Sequence, residues 1–138
     1  MVSTINIALS GLNAATTQLN ASASNIANLT TAGSLETGRQ APYTPLQTQN
    51  TARTDTNGNP QGVSSQITPR ASDPFTPSFA PDSPFANAEG IIGIPNINLA
   101  EEAVNLQLAE IQYKANASVI KTAGELTDEL LNLFDDQA

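Results

Sequence analysis

The sequence predicts a mainly α fold: long N- and C-terminal helices paired as an antiparallel coiled coil, with a Pro/Thr/Asn-rich middle of loops and room for one small β-hairpin. Three observations carry this. Apolar residues recur at helical spacing at both ends of the chain, all nine prolines fall between Pro42 and Pro95, and the first 35 residues contain no charged side chain. Three regions follow: an N-terminal helix over 1–35, an extended middle over 36–97, and a C-terminal helix over 98–138.

In the first region Ile5, Leu12, Leu19 and Ile26 are spaced by seven, with Ala8, Leu9, Ala15, Ala23 and Leu29 on adjoining positions of the same stripe. That is helical periodicity with coiled-coil spacing. Periodicity alone leaves two roles open for this heptad, the core of an intramolecular helix pair or a seam between subunits. The many Asn, Ser and Thr residues lower intrinsic helix propensity, so this helix needs partners. Its uncharged polar face can be buried with hydrogen bonds at far lower cost than a charged one.

Prolines exclude long helices from the middle. Short alternating pieces, 44–51 and 62–68, flank the turn-forming run Asn57, Gly58, Asn59, Pro60, which fits a hairpin; the rest reads as extended loop. Helical spacing returns with Val104, Leu108, Ile111, Ala115, Val119, Ala123, Leu126, Leu130 and Leu133. Asn98 is a suitable N-cap, with Glu101 three positions later as in a capping box, and Glu101 and Glu102 suit the positive helix end. At about 1.5 Å per residue this helix reaches roughly 50 Å. Gly11 and Gly124 each cost about 1 kcal/mol relative to Ala inside a helix, which close helix approach would justify. Tyr113 reads as a packing residue rather than a recognition element.

Composition narrows the function. With no Cys and no His among 138 residues, thiolate nucleophiles, imidazole bases, disulfides and the commonest transition-metal ligands are excluded. A formal charge of −8 and five scattered basic residues argue against nucleic acid. The acidic pairs Glu101/Glu102, Asp128/Glu129 and Asp135/Asp136 read as caps or solvated faces, since adjacent helical residues do not share a face. No cofactor, metal or small-molecule substrate is expected. The start MVSTINIALSGLNAA lacks the basic and apolar segments of a secretory signal, so export, if it occurs, follows another route.

The run SGLNAATTQLNASASNIAN, residues 10–28, resembles the N-terminal signature of the bacterial flagellar basal-body rod and hook proteins, through Ser10, Gly11, Leu12, Ala14, Leu19, Asn25, Ile26, Ala27 and Asn28. YKANASVIKT, residues 113–122, is similar to that family's Tyr-x-Ala-Asn ending, with Tyr113 and Asn116. Between them APYTPLQ, DPFTPSFAPDSPFAN and GIIGIPNINLAEE resemble the FlgC branch of proximal rod proteins, whose Pro-Asn-Val-Asn segment corresponds here to Pro95, Asn96, Ile97 and Asn98. The chain departs from its relatives at Thr31, Ala32, Gly33 and Ser34, after the first helix, and at Ile91, where an aromatic is common.

The resemblance implies a structural rod subunit, without catalysis. Its terminal helices would form the rod core, a helical tube that encloses the export channel and transmits motor torque to the hook. Implied partners are copies of itself, other rod proteins, the rod-to-membrane-ring adaptor and MS ring, and the type III export apparatus. The implied location is the periplasmic rod, after synthesis in the cytoplasm and export without a cleaved signal. The expected assembly interface comprises Ile5, Leu9, Leu12, Leu19, Ile26, Val104, Leu108, Ile111, Val119, Leu126 and Leu130, and the resemblance favours both roles of the heptad together. The alternatives are a secreted coiled-coil adaptor unrelated to the rod and, more remotely, an enzyme working with carboxylates alone.

Overall fold

The computed structural model describes residues 2–135. Helix α1 (Val2–Ala27) is followed by strands β1 (Leu46–Thr54), β2 (Pro60–Pro69), β3 (Phe75–Phe79) and β4 (Ile91–Pro95), and by helix α2 (Leu99–Asp135). The two helices pack against one another along α1. They run antiparallel, since Asn25 near the end of α1 meets Glu102 in the first turn of α2, while Gly11, earlier in α1, lies against Asn116 at the middle of α2.

Side-chain oxygens set the helix ends. The Asn98 Oδ1 accepts from the backbone N–H groups of Ala100 (3.0 Å) and Glu101 (3.4 Å), capping α2 as its position predicts. At the other junction Asn28 donates from Nδ2 to the Ser24 carbonyl (2.9 Å) and accepts from the Thr31 hydroxyl (3.2 Å). The Ser24 carbonyl also accepts from the Asn28 backbone N–H (3.1 Å), so Asn28 grips the last turn of α1 by both its backbone and its side chain.

β1 and β2 form the antiparallel hairpin that the Asn57-Gly58 turn predicts, with Leu46 opposite Pro69 and Ala52 opposite Val63. Asp55 closes its loop by accepting from the backbone N–H groups of Asn57 and Asn59 and from the Asn59 side chain, each at 2.8 Å. Gly58 takes a positive φ of 82° there. The hairpin lies on α1: the Ser10 hydroxyl accepts from the Val63 N–H (3.0 Å), and a Cβ at Gly62 would collide with that hydroxyl.

The rest of the middle is not all loop. β3 and β4 pair antiparallel with Phe75 opposite Pro95 and Phe79 opposite Ile91. Pro77, a strand breaker in sequence, is tolerated because it faces Gly93, whose N–H and C=O both turn the other way to bond Gly33 (2.8 and 3.0 Å). Arg39 ties the 28–45 segment to the 80–90 loop by donating to Glu36 and to the carbonyls of Pro84 and Ala86.

Candidate assembly interface

The contact between α1 and α2 is built from small residues. Ala8, Ala15 and Ser22 repeat every seven residues on α1, as do Glu102, Ala109, Asn116 and Ala123 on α2, and all but Asn116 are buried. Gly11 lies in the same seam; a Cβ there would come within 2.5 Å of the Asn116 Oδ1. Gln18 reaches across to the Asn105 carbonyl at 3.3 Å. Helices separated mainly by Ala, Gly and Ser approach closely, and their larger aliphatic neighbours are displaced to either flank.

That displacement decides where the expected interface residues stand. Ile5, Leu12 and Ile26 are half-buried beside the seam. Leu9, Leu19, Val104, Leu108, Ile111, Val119, Leu126 and Leu130 are exposed, Ile111 at 63%. Of the heptad Ile5, Leu12, Leu19 and Ile26, three members thus flank the seam half-buried and Leu19 is exposed, while the small-residue heptads form the innermost contact of the pair. Tyr113 is half-exposed, bordering a hollow of about 230 Å³ with Ala15, Leu19 and Ala109. Near the start of α1, Thr4 and the α2 residues Ala115, Val119, Ala123 and Leu126 line an apolar groove of about 480 Å³. Beyond it α2 carries Leu130, Leu131 and Leu133, all exposed.

The signature residues are mostly joints. Asn25, only 1% exposed, uses its whole hydrogen-bonding capacity. Its Oδ1 accepts from the Leu46 N–H (2.7 Å) and the Tyr43 hydroxyl (3.1 Å), and its Nδ2 donates to the Leu46 carbonyl (2.8 Å) and the Glu102 Oε1 (2.7 Å). The amide pairs with Leu46 as a neighbouring strand would, and the same contacts fix which way it points. Because Tyr43 donates to Asn25, the Ser24 hydroxyl is left to donate to Tyr43 (2.9 Å). One side chain thus joins α1, the start of β1 and α2. Ser10 holds β2, Gly11 and Asn116 form the close crossing, Asn28 ends α1, and Asn98 begins α2. Pro95 is buried at the end of β4, and Asn96 donates from its side chain to the Asp73 carbonyl (2.9 Å). Tyr113, Asn96 and Asn98 are the exposed members of this set.

The reading of Glu101 and Glu102 as a solvated or capping pair holds only for exposed Glu101. Glu102 is 2% exposed and belongs to the seam. The signal that would have placed it is its seven-residue spacing from Ala109, Asn116 and Ala123, hidden because a carboxylate does not register as apolar. Asp128 and Glu129 are exposed, and Asp136 lies outside the described residues. Among the described residues no group of three or more acidic side chains is placed to hold a metal ion. Glu110 and Lys114 form an exposed ion pair one turn apart on α2, and that ammonium holds the Glu110 carboxyl below its usual value.

Comparison with known proteins points the same way. A family model described as the flagellar basal body rod FlgEFG protein C-terminal matches residues 88–133. The chain is 33% identical to the flagellar basal-body rod protein FlgC of Yersinia enterocolitica over 135 residues, covering 96% of this chain and 97% of the relative. It is 31% identical to the FlgC of Buchnera aphidicola over 135 residues, 98% of each chain, and 27% identical to that of Borreliella burgdorferi over 140 residues, 89% and 90% of the two.

Proposed function

The chain belongs to the FlgC family of flagellar basal-body rod proteins, and from that premise we propose that its paired terminal helices stand in the wall of the proximal rod, with their exposed aliphatic flanks as the contacts to neighbouring subunits. Its role is structural and rod-forming, in association with other basal-body components. The observation that carries the proposal is the division of labour on the helices: small residues close the pair within the subunit, and large aliphatic residues are left outside.

A leucine or isoleucine that goes from about half exposed to buried contributes on the order of 1 kcal/mol. Leu9, Leu19, Val104, Leu108, Ile111, Val119, Leu126 and Leu130 together would make a many-point contact along the tube, able to pass torque by distributed side-chain packing. α1 bears no charged side chain, which lets every one of its faces meet another helix without desolvating an ion. A head-to-tail surface repeated from copy to copy does not close and generates a filament. The neighbours are then copies of this chain, other rod proteins and, at the base, the adaptor and MS ring. The subunit sits in the periplasmic rod after export from the cytoplasm by the flagellar type III apparatus, its signal uncleaved.

Hydrogen exchange tests this, comparing the purified protein with the same protein in isolated basal bodies over residues 2–27 and 99–135. Protection of the aliphatic flanks that rises strongly on assembly is expected. Equal and strong protection in the free chain would mark a self-sufficient helical domain and favour the adaptor reading.

A further inference from the structure

A polar cavity of about 290 Å³ opens between the end of α1, the start of β1 and the first turns of α2, lined by Gln18, Ser22, Thr48, Arg70, Glu101 and Glu102 among others. Glu102 is the unusual member. It is a carboxylate only 2% exposed, its Oε1 accepts from Asn25, and among the described residues its Oε2 has no hydrogen-bond donor. Arg70 lines the cavity but donates to the Asn96 carbonyl (3.1 Å) and forms no ion pair with either glutamate. A mostly buried carboxylate with one oxygen open to a polar cavity can accept a donor from outside the chain.

The matching half lies farther along the subunit. Among the described residues Arg53 is the one basic side chain with neither an ion pair nor a hydrogen bond; Arg39, Lys114 and Lys121 are paired and Arg70 is bonded. Arg53 is exposed near the tip of the β1–β2 hairpin, beside Asn6, Leu9 and Asn13 of α1, whereas the cavity adjoins Gln18 and Ser22. The two features are separated by roughly 15 Å along the helix axis. They cannot meet within one chain, but they can meet between copies displaced along that axis.

We propose that the Glu102 cavity receives the Arg53 guanidinium of a second copy of this chain, a head-to-tail contact that sets the axial step between subunits. The guanidinium supplies the donors that Oε2 lacks and offsets the two glutamates at the site, and its planar fork suits a carboxylate. The contact rests on the rod-subunit reading, because it requires copies to lie side by side with an axial shift.

The chain has no cysteine, so a cross-link can be placed cleanly. Thr54→Cys, next to Arg53, and Gln47→Cys, at the cavity rim, are combined in one chain, expressed in the source bacterium, and treated with a short bismaleimide in isolated basal bodies. Covalent dimers are expected from the double variant and from neither single one. Their yield is expected to fall about tenfold or more when either Arg53→Gln or Glu102→Gln is added, and to stay unchanged with Arg70→Gln. Glu102→Gln keeps an acceptor for Asn25, and Arg53→Gln alters only an exposed strand, so loss of folding does not mimic the result. Rods that contain the protein but give no dimers, dimers indifferent to Arg53→Gln, or dimers lost with Arg70→Gln overturn the contact while leaving the rod assignment standing. Absence of the protein from basal bodies removes both.

Discussion

The close crossing of α1 and α2 at Gly11 makes a prediction whose sign depends on one neighbour. Replacing a helical Gly by Ala ordinarily stabilises by about 1 kcal/mol, because the backbone loses less freedom on folding. At Gly11 the new Cβ would stand 2.5 Å from the Asn116 Oδ1 and 2.6 Å from its Cγ and Nδ2, whereas relaxed contacts need about 3.5 Å or more. The helices or the Asn116 side chain must therefore yield by about 1 Å, and overpacking of this kind costs roughly 1–3 kcal/mol. Asn116 does not yield freely, since its Nδ2 donates to the Gln112 carbonyl at 2.8 Å. Gly11→Ala is thus expected to destabilise by about 1 kcal/mol net, taking the middle of these ranges. Gly124 lies in the same helix pair with nothing within 4 Å of its would-be Cβ, so Gly124→Ala is expected to stabilise by about 1 kcal/mol. Removing the obstruction should reverse the first result: Gly11→Ala introduced into an Asn116→Ala background is expected to stabilise by nearly the same amount as Gly124→Ala. Urea unfolding of the purified variants, followed by far-ultraviolet circular dichroism, measures all four. Equal stabilisation by Gly11→Ala and Gly124→Ala in the wild-type background would refute a close crossing at this point.

Asn25→Ala removes four hydrogen bonds and leaves the Glu102 carboxylate buried without a donor; a loss of roughly 3–5 kcal/mol is expected in the same unfolding assay, and a loss below about 1 kcal/mol would dismiss Asn25 as the joint. The Asp55 carboxyl is held below its ordinary value by the Asn59 side chain first, then by backbone N–H groups. Its contribution to the hairpin loop is complete above the unfolded value of about 3.9 and is lost as pH falls through the lower folded one. Amide resonances of Asn57 and Asn59 followed by NMR should shift in that acid range, and Asp55→Asn should abolish the transition. Ile111→Asp places a charge where the side chain is 63% exposed, so the isolated protein should unfold as wild type does while rod assembly and motility fail. Leu12→Asp is expected to block assembly as well, but half-buried Leu12 makes it the less clean probe. Normal motility with Ile111→Asp would remove that flank from the interface.

Sequence reading went furthest where structure is local. Seven-residue spacing at both chain ends, the Asn98 cap and the Asn57-Gly58 turn act over a few residues, and each determines its own element without help from the rest of the chain. The run from Ser10 to Asn28 also carried the functional reading, because many of its polar residues are joints whose loss would break a specific bond. Two features lay beyond reach. β3 and β4 pair across an eleven-residue loop, and Pro77 argues against a strand until Gly33 is seen to take the Gly93 hydrogen bonds. The stripe that faces inward was equally hidden. Periodicity establishes that a helix has stripes, but it ranks them by apolarity, and Leu and Ile outrank Ala and Ser. Tertiary structure ranked them by how closely two backbones could approach, which favoured Ala8, Ala15 and Ser22, buried Glu102 beneath Asn25, and left the larger aliphatic side chains facing outward.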